Sequence, residues 1–153
     1  MVKIATQGGD GAVAFAQESV VITCTNALAK GEVVMLTLAD GKFSACTKHA
    51  TADSTPDHLL GVASDAVDAG NKGRIVLRGV VEAVCEANAD ASLALVGSAS
   101  TAGRLEAQGT DPHDSGSAFE KGGGIALENT GTAGDLTSVL FDGINGFSSP
   151  PNV

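Results

Sequence analysis

Two stretches of this chain share one pattern, and that pattern limits the fold more than any other feature of the sequence. Residues 61–80 read GVASDAVDAGNKGRIVLRGV, and residues 124–144 read GIALENTGTAGDLTSVLFDGI. Each begins with Gly, a β-branched residue and Ala, continues through a polar loop that ends in Ala-Gly, and finishes with Val-Leu and a second Gly. β-branched residues between turn residues are typical of strands joined by tight turns. The sequence therefore predicts a β structure in which one unit is used twice.

The match continues upstream of both stretches. AKGEVVML at residues 29–36 corresponds to ADASLALV at residues 89–96, and ADGKFSA at 39–45 corresponds to TAGRLEA at 101–107. We therefore predict two pseudo-repeats of about 60 residues. This period is too long, and two copies are too few, for a solenoid. They span about residues 29–85 and 89–146. The alternative is two small tandem domains. Each would be near the size below which a hydrophobic core alone does not stabilise a fold and disulfides or a metal ion are needed.

The composition agrees with an all-β fold. The chain has 153 residues and 20 glycines, which serve turns and destabilise helix interiors. Asp40-Gly41 predicts a hairpin turn between strands at 31–38 and 43–46, and residues 74–84 predict a further strand. We predict a compact β-barrel or sandwich-like module, because closure removes exposed strand edges.

The predicted organisation has three parts. An extended N-terminal arm covers residues 1–18, a single β domain covers 19–146, and a C-terminal tail with two prolines covers 147–153. The alternative interpretation of residues 1–18 is a disordered end.

Charge and cysteine usage exclude several classes of function. The net charge of −9 argues against binding to nucleic acid or to anionic membranes, because phosphate contacts need Lys or Arg. No stretch approaches the roughly 20 apolar residues that span a bilayer. Cys24, Cys46 and Cys85 lie in no zinc-binding spacing, so we expect buried thiols in a reducing compartment. A single disulfide is the alternative.

Residues with catalytic or metal-binding side chains are few, and their spacing matches no catalytic or metal-binding motif. Asp111, His113, Asp114 and Ser115 lie within one loop, whereas a catalytic triad takes its members from separate elements. Turn formation explains this cluster, and weak calcium or magnesium binding by its aspartates is the alternative. Lys121 precedes three glycines, whereas the lysine of a phosphate-binding loop follows them. We predict no enzyme activity, no catalytic residue, no metal site and no cofactor.

Arg74 and Arg78 lie four residues apart on a predicted strand, so both point to the same face. Two cations on one face of a sheet usually mean a solvated face. The alternative is contact with an acidic surface of another copy, which makes both arginines candidates for an oligomer interface.

The runs KGEVVMLTLADGKFSACT at 30–47 and HLLGVASDAVDAGNKGRIVLRGVV at 58–81 resemble the decoration, or cement, proteins of tailed-phage heads. With both copies counted, the resemblance covers about residues 29–145. It implies an all-β module on the outside of the capsid, commonly a trimer at three-fold positions, that links neighbouring subunits of the major capsid protein. It also implies an N-terminal arm that joins a capsid strand by β-augmentation. The predicted capsid-binding residues in this arm are Val2, Lys3, Ile4, Val13 and Phe15.

The function expected from this resemblance is that of a structural virion protein that stabilises the expanded head. Its expected partners are the major capsid protein and further copies of itself in a homotrimer, with no nucleic acid and no membrane. Its expected location is the outer capsid surface of the virion, after synthesis in the host cytoplasm. The alternatives are another surface or tail module of a virion, a carbohydrate-binding module, or an unrecognised enzyme. The absence of Trp and Tyr counts against sugar binding, because sugar-binding faces usually present aromatic rings.

Overall fold

The computed structural model describes residues 17–50, 59–108 and 123–144 in full, and only the backbone of residues 5–6, 13–14, 121–122 and 147–148. Within this part of the chain there are thirteen strands and no helix, which confirms the all-β prediction. The strands are β1 (Ala5–Thr6), β2 (Val13–Ala14), β3 (Glu18–Cys24), β4 (Val33–Ala39), β5 (Lys42–Lys48), β6 (Leu60–Ala63), β7 (Lys72–Val84), β8 (Ala94–Gly97), β9 (Leu105–Ala107), β10 (Lys121–Gly122), β11 (Gly124–Ala126), β12 (Leu136–Asp142) and β13 (Phe147–Ser148).

Five strands close into a barrel, which we call the first barrel. Its closure confirms the predicted closed architecture. β3 pairs in parallel with β5, and antiparallel pairs then run from β5 to β4, β4 to β6, β6 to β7 and β7 back to β3. Asp40 and Gly41 connect β4 to β5 with positive φ angles of 51° and 72°. Two left-handed residues in succession match the twist of the flanking strands, so the Asp-Gly pair forms the hairpin that it predicts.

A second ring of strands begins halfway along β7, which is 13 residues long. β12 pairs with the C-terminal half of β7, and antiparallel pairs then run from β12 to β11, β11 to β8 and β8 to β9. A parallel bridge between Cys85 and Leu105 brings β9 back to the end of β7. Gly79 lies where β7 passes from the first barrel to the second ring, at a φ of 112° that residues other than glycine rarely adopt.

The strands of the two rings pair in corresponding registers. Gly61 lies opposite Val34 in the first barrel, and Gly124 lies opposite Leu95 in the second ring. Val34 therefore corresponds to Leu95, whereas the sequence match aligned it with Ala94. The one-residue difference matters because neighbouring residues of a strand point to opposite faces.

Corresponding turns also make corresponding hydrogen bonds. The N–H of Gly70 donates to Cys24 O at 2.7 Å, and the N–H of Gly134 donates to Cys85 O at 2.8 Å. These contacts support the pseudo-repeat hypothesis, which stays a prediction.

Two clusters of buried side chains form the core. One fills the first barrel and consists of Ile22, Cys24, Leu28, Val34, Leu36, Cys46, Ala63, Ile75 and Leu77. The other fills the second ring with Val81, Ala83, Cys85, Ala89, Leu95, Leu105, Ala126, Val139 and Phe141, and it also contains Val33, Leu60, Val62 and Val76. Those last four side chains are called the outer wall of the first barrel, because strand alternation points them away from its interior. The outer wall of the first barrel therefore packs against the second ring.

The three cysteines are buried, free thiols. Cys24 lies opposite Cys46 on a parallel strand, and their Sγ atoms are 3.6 Å apart. Burial raises the pKa of the Cys46 thiol to about 12 and that of the Cys85 thiol to about 11. Because the thiolate is the reactive form, burial and protonation together protect the Cys46 and Cys85 side chains.

We expect no cysteine of the native protein to react with an aromatic disulfide reagent at mildly alkaline pH, and all three to react after unfolding in denaturant. The measurement is the number of thiols labelled per chain under the two conditions. Rapid labelling of even one cysteine in the native protein would contradict the burial described here.

Candidate interaction surface

The predicted capsid-binding residues lie outside the fully described part of the chain. For Val13 the structure gives the backbone alone, and Val2, Lys3, Ile4 and Phe15 are not described. The backbones of β1 and β2, on either side of the Gly8–Gly11 segment, pair antiparallel. The capsid-binding role of these residues stays a prediction. The cluster from Asp111 to Ser115 also lies outside the described residues.

The two predicted interface arginines have different surroundings. Arg78 Nε donates to Asp142 Oδ1 at 3.1 Å, and Arg78 Nη1 lies 3.4 Å from Glu18 Oε2. Arg78 thus joins β3, β7 and β12 at the point where the first barrel meets the second ring. Arg74 is exposed and lies opposite Val21. The ion pairs give Arg78 a structural role within the chain, and a role for either arginine between copies stays a prediction.

A surface groove runs along the junction of the first barrel and the second ring. It is lined by Gln17, Lys30, Ser64, Val80, Val81, Glu82 and Ser138. Lys30 Nζ lies 2.6 Å from Glu82 Oε2, and this hydrogen bond raises the pKa of the lysine. Gln17 Nε2 donates to Val80 O at 2.6 Å. The polar side chains of the groove therefore bond to the protein itself, and the lysine is a protonated ion-pair partner with no character of a nucleophile.

A buried serine and two carboxylates come together at the turn between β8 and β9. Ser98 Oγ lies 3.1 Å from Glu86 Oε1 and 3.2 Å from Glu106 Oε2. The same Oγ accepts hydrogen bonds from the backbone N–H groups of Ser100 and Thr101. A hydrogen bond from the Thr101 side chain lowers the pKa of Glu86, which makes that carboxylate a weak base. Together these hydrogen bonds shape the turn between β8 and β9.

The outward side of the second ring carries several apolar side chains beside the polar residues Glu82 and Ser138. Val81, Ala83, Ala126, Val139 and Phe141 point into the core, so strand alternation directs their neighbours outward. These neighbours include Val80, Val84, Ala94, Ile125, Leu127, Leu136 and Leu140, and we call this set the outer wall of the second ring. Leu127 is 49% exposed and Leu136 is 42% exposed. Glu82 and Ser138 pair between the apolar pairs Val84–Leu136 and Val80–Leu140, so the wall consists of apolar patches with polar side chains between them. Exposed apolar patches are candidates for protein–protein contact.

Sequence reasoning missed the outer wall of the second ring. The signal that could have shown it is the presence of apolar residues at both alternating positions in VVEAVC at 80–85 and LTSVLF at 136–141. A strand with one solvated face alternates apolar and polar residues, whereas these strands carry apolar residues on both faces.

The fully described ranges contain no group of three His, Cys, Asp or Glu side chains that could hold a metal ion. In the same part of the chain, the structure has no helix with the length and hydropathy required to cross a membrane.

No protein-family model matches this sequence, and no curated protein matches it. Among solved structures, the fold is similar to that of the head fiber gp8.5 N base in bacteriophage phi29. The TM-score is 0.56 at 17% sequence identity, over 88% of this chain and 100% of that chain. At this identity the likeness shows a shared fold.

Proposed function

We propose that this chain is a structural protein of a tailed-phage virion that docks on the outer surface of the head. The observation that carries the proposal is the likeness in fold to a phage head fiber base, which extends over the whole of that chain. The resemblance of residues 29–145 to head decoration proteins supports the same conclusion independently. An outer wall of apolar side chains supplies a surface suited to protein–protein contact.

The proposed mechanism is multivalent binding. Each copy adds its N-terminal segment to a strand of the major capsid protein by β-augmentation, with Val2, Ile4, Val13 and Phe15 as side-chain anchors and Lys3 beside them. Many modest contacts repeated around a shell raise the effective concentration of each binding partner. Neighbouring capsid subunits are thereby linked, which stabilises the expanded head without any catalytic step.

A second candidate function is the base of a head fiber, with further protein attached to it. The observation that favours it is the similar structure itself, which is the base of a head fiber. Both candidates place the chain on the outside of a head, and they differ in whether a longer fiber is joined to it.

The test is cosedimentation of the protein with purified expanded heads of the phage that encodes it. We expect the full chain to sediment with heads, and a variant that lacks residues 1–16 to lose at least about tenfold in affinity because the strand-adding segment is gone. The deletion ends before Gln17 and Glu18, since their side chains contact Val80 and Arg78 of the folded domain. Circular dichroism and the thermal midpoint serve as controls for folding.

The two possible failures have separate meanings. If the full chain does not bind heads, the proposed function is wrong. If the truncated and full chains bind equally well, the N-terminal segment is not the attachment element, and docking relies on the folded domain.

A further inference from the structure

The first barrel and the second ring close in the same way, through a parallel contact that begins at a cysteine. In the first barrel, Cys24 of β3 lies opposite Cys46 of β5. In the second ring, Cys85, which follows β7, lies opposite Leu105 of β9. The backbone N–H one residue after Cys24 donates to Cys46 O at 2.9 Å, and the N–H one residue after Cys85 donates to Leu105 O at 2.7 Å. Cys46 therefore occupies the position that Leu105 occupies in the second ring.

This difference brings two thiols together in the first barrel. Cys24 and Cys46 are both completely buried and belong to the core cluster that fills this barrel. The Cys46 thiol donates to Cys24 Sγ across 3.6 Å, and the Cys24 thiol donates to Ile22 O at 3.7 Å. Cys85 belongs to the other core cluster, where its thiol donates to Ala83 O at 3.6 Å. The first barrel therefore holds a pair of neighbouring sulfur atoms, and the second ring holds a single thiol.

The geometry of the two strands suits a disulfide bond between Cys24 and Cys46. Neighbouring strands lie about 4.8 Å apart, and disulfide bonds join residues whose Cα atoms are about 4.4–6.8 Å apart. The two cysteines are direct partners in the register of β3 and β5, and both side chains point into the barrel. Side-chain rotation therefore only has to shorten the Sγ–Sγ distance from 3.6 Å to the bonded length of about 2.0 Å.

A bond at this position would reinforce a short contact in the wall of the barrel. β3 pairs with β5 at Thr23–Ala45 and Cys24–Cys46 alone, whereas its pairing with β7 runs from Glu18 to Thr23. The two cysteines are 22 positions apart in the chain, and the β4–β5 hairpin lies between them. A covalent link would therefore keep the barrel closed even when the few backbone hydrogen bonds between β3 and β5 break.

We propose that Cys24 and Cys46 form a disulfide bond when the chain meets a low-molecular-weight disulfide outside a reducing compartment, and that this bond fastens β3 to β5. One cysteine gives up its proton and attacks the small disulfide, which forms a mixed disulfide and releases one small thiol. The other cysteine gives up its proton and attacks the protein sulfur of the mixed disulfide, which closes the protein disulfide and releases the second small thiol. Two protein thiols are thus oxidised while one small disulfide is reduced to two thiols. The reaction needs no capsid, so it stands or falls separately from the proposed function.

The test is to refold the reduced chain from denaturant in a buffer that contains oxidised glutathione in excess, so that burial does not keep the reagent from the thiols. Free thiols are then alkylated in denaturant, and mass spectrometry counts them and locates the bond. We expect alkylation to fall from all three cysteines to Cys85 alone, with Cys24 joined to Cys46 and no glutathione attached. A chain with all its thiols still free, a glutathione adduct that persists on Cys24 or Cys46, or a bond that includes Cys85 overturns the proposal.

The bond should also raise the thermal midpoint of the oxidised chain by about 5–10 °C over its reduced form, as expected for a disulfide that closes a loop of this length in a chain of this size. Cys85→Ala retains the pair and should show the same shift, whereas Cys24→Ala and Cys46→Ala should show none. Each variant is compared with its own reduced form, so the cost of removing a buried thiol does not enter the shift. A disulfide that leaves the midpoint unchanged, or an equal shift in Cys24→Ala, shows that the bond does not fasten β3 to β5.

Discussion

Phe141→Ala is expected to lower the free energy of unfolding by about 3–5 kcal/mol, the usual cost of deleting a fully buried aromatic side chain. Phe141 is among the largest completely buried side chains and is 1% exposed. Its ring also approaches Leu60, from the outer wall of the first barrel, around the position of Gly123. The substitution therefore opens a cavity where the first barrel and the second ring meet.

The measurement is denaturant unfolding of the wild-type chain, Phe141→Ala and Val21→Ala. Val21 is 58% exposed, so its truncation should change stability by no more than about 0.5 kcal/mol. An unchanged slope with a lower midpoint would identify the Phe141 effect as a loss of stability. If Phe141→Ala unfolds at the same denaturant concentration as Val21→Ala, the ring does not belong to a shared core.

The features that the sequence predicted correctly are those that depend on a few neighbouring residues. Asp40 and Gly41 form the hairpin because Asp-Gly tolerates the two left-handed conformations that the turn requires. The strand predicted at 74–84 is part of β7, since its β-branched residues favour extended backbone wherever it packs.

Pairing between distant strands could not be predicted in the same way. The parallel pair of β3 and β5 places Cys24 opposite Cys46, and nothing in either strand specifies that partner. β7 is shared between the two rings, and Gly79 lies where it passes from one to the other with a positive φ. The sequence does not show this φ, because glycine also occurs in ordinary turns.

The candidate surface was harder to predict than the fold. Val62 and Ile125 occupy equivalent positions in the two copies of the repeated pattern, and both are β-branched apolar residues. They differ because Val62 is covered by the second ring, whereas Ile125 lies on a wall that the described residues leave partly exposed. The difference arises only when the two rings pack, so it cannot be read from the repeated sequence pattern.

Gly143→Ala is expected to cost about 3 kcal/mol or more, at the upper end of the range for overpacking a tight core. A Cβ at this position would lie 1.9 Å from Leu60 O and 2.6 Å from Leu60 C. Both are backbone atoms, so no side-chain rotation relieves the collision. The N–H of Leu60 donates to Gly143 O at 3.0 Å, and this hydrogen bond holds the two segments at that separation.

Gly143 closes the second copy of the repeated sequence pattern, as Gly79 closes the first, but the two glycines are required for different reasons. Gly79 is needed for its φ of 112°, whereas Gly143 is needed for the space that a methyl group would fill. Gly131→Ala is the matched control, because its Cβ would meet only Asp135 Oδ2, at 3.7 Å, and a change within about 0.5 kcal/mol is expected. Denaturant midpoints of the two variants decide the matter: equal stabilities would mean that the close approach of Gly143 to Leu60 does not limit the fold, and a selective loss in Gly143→Ala would show that it does.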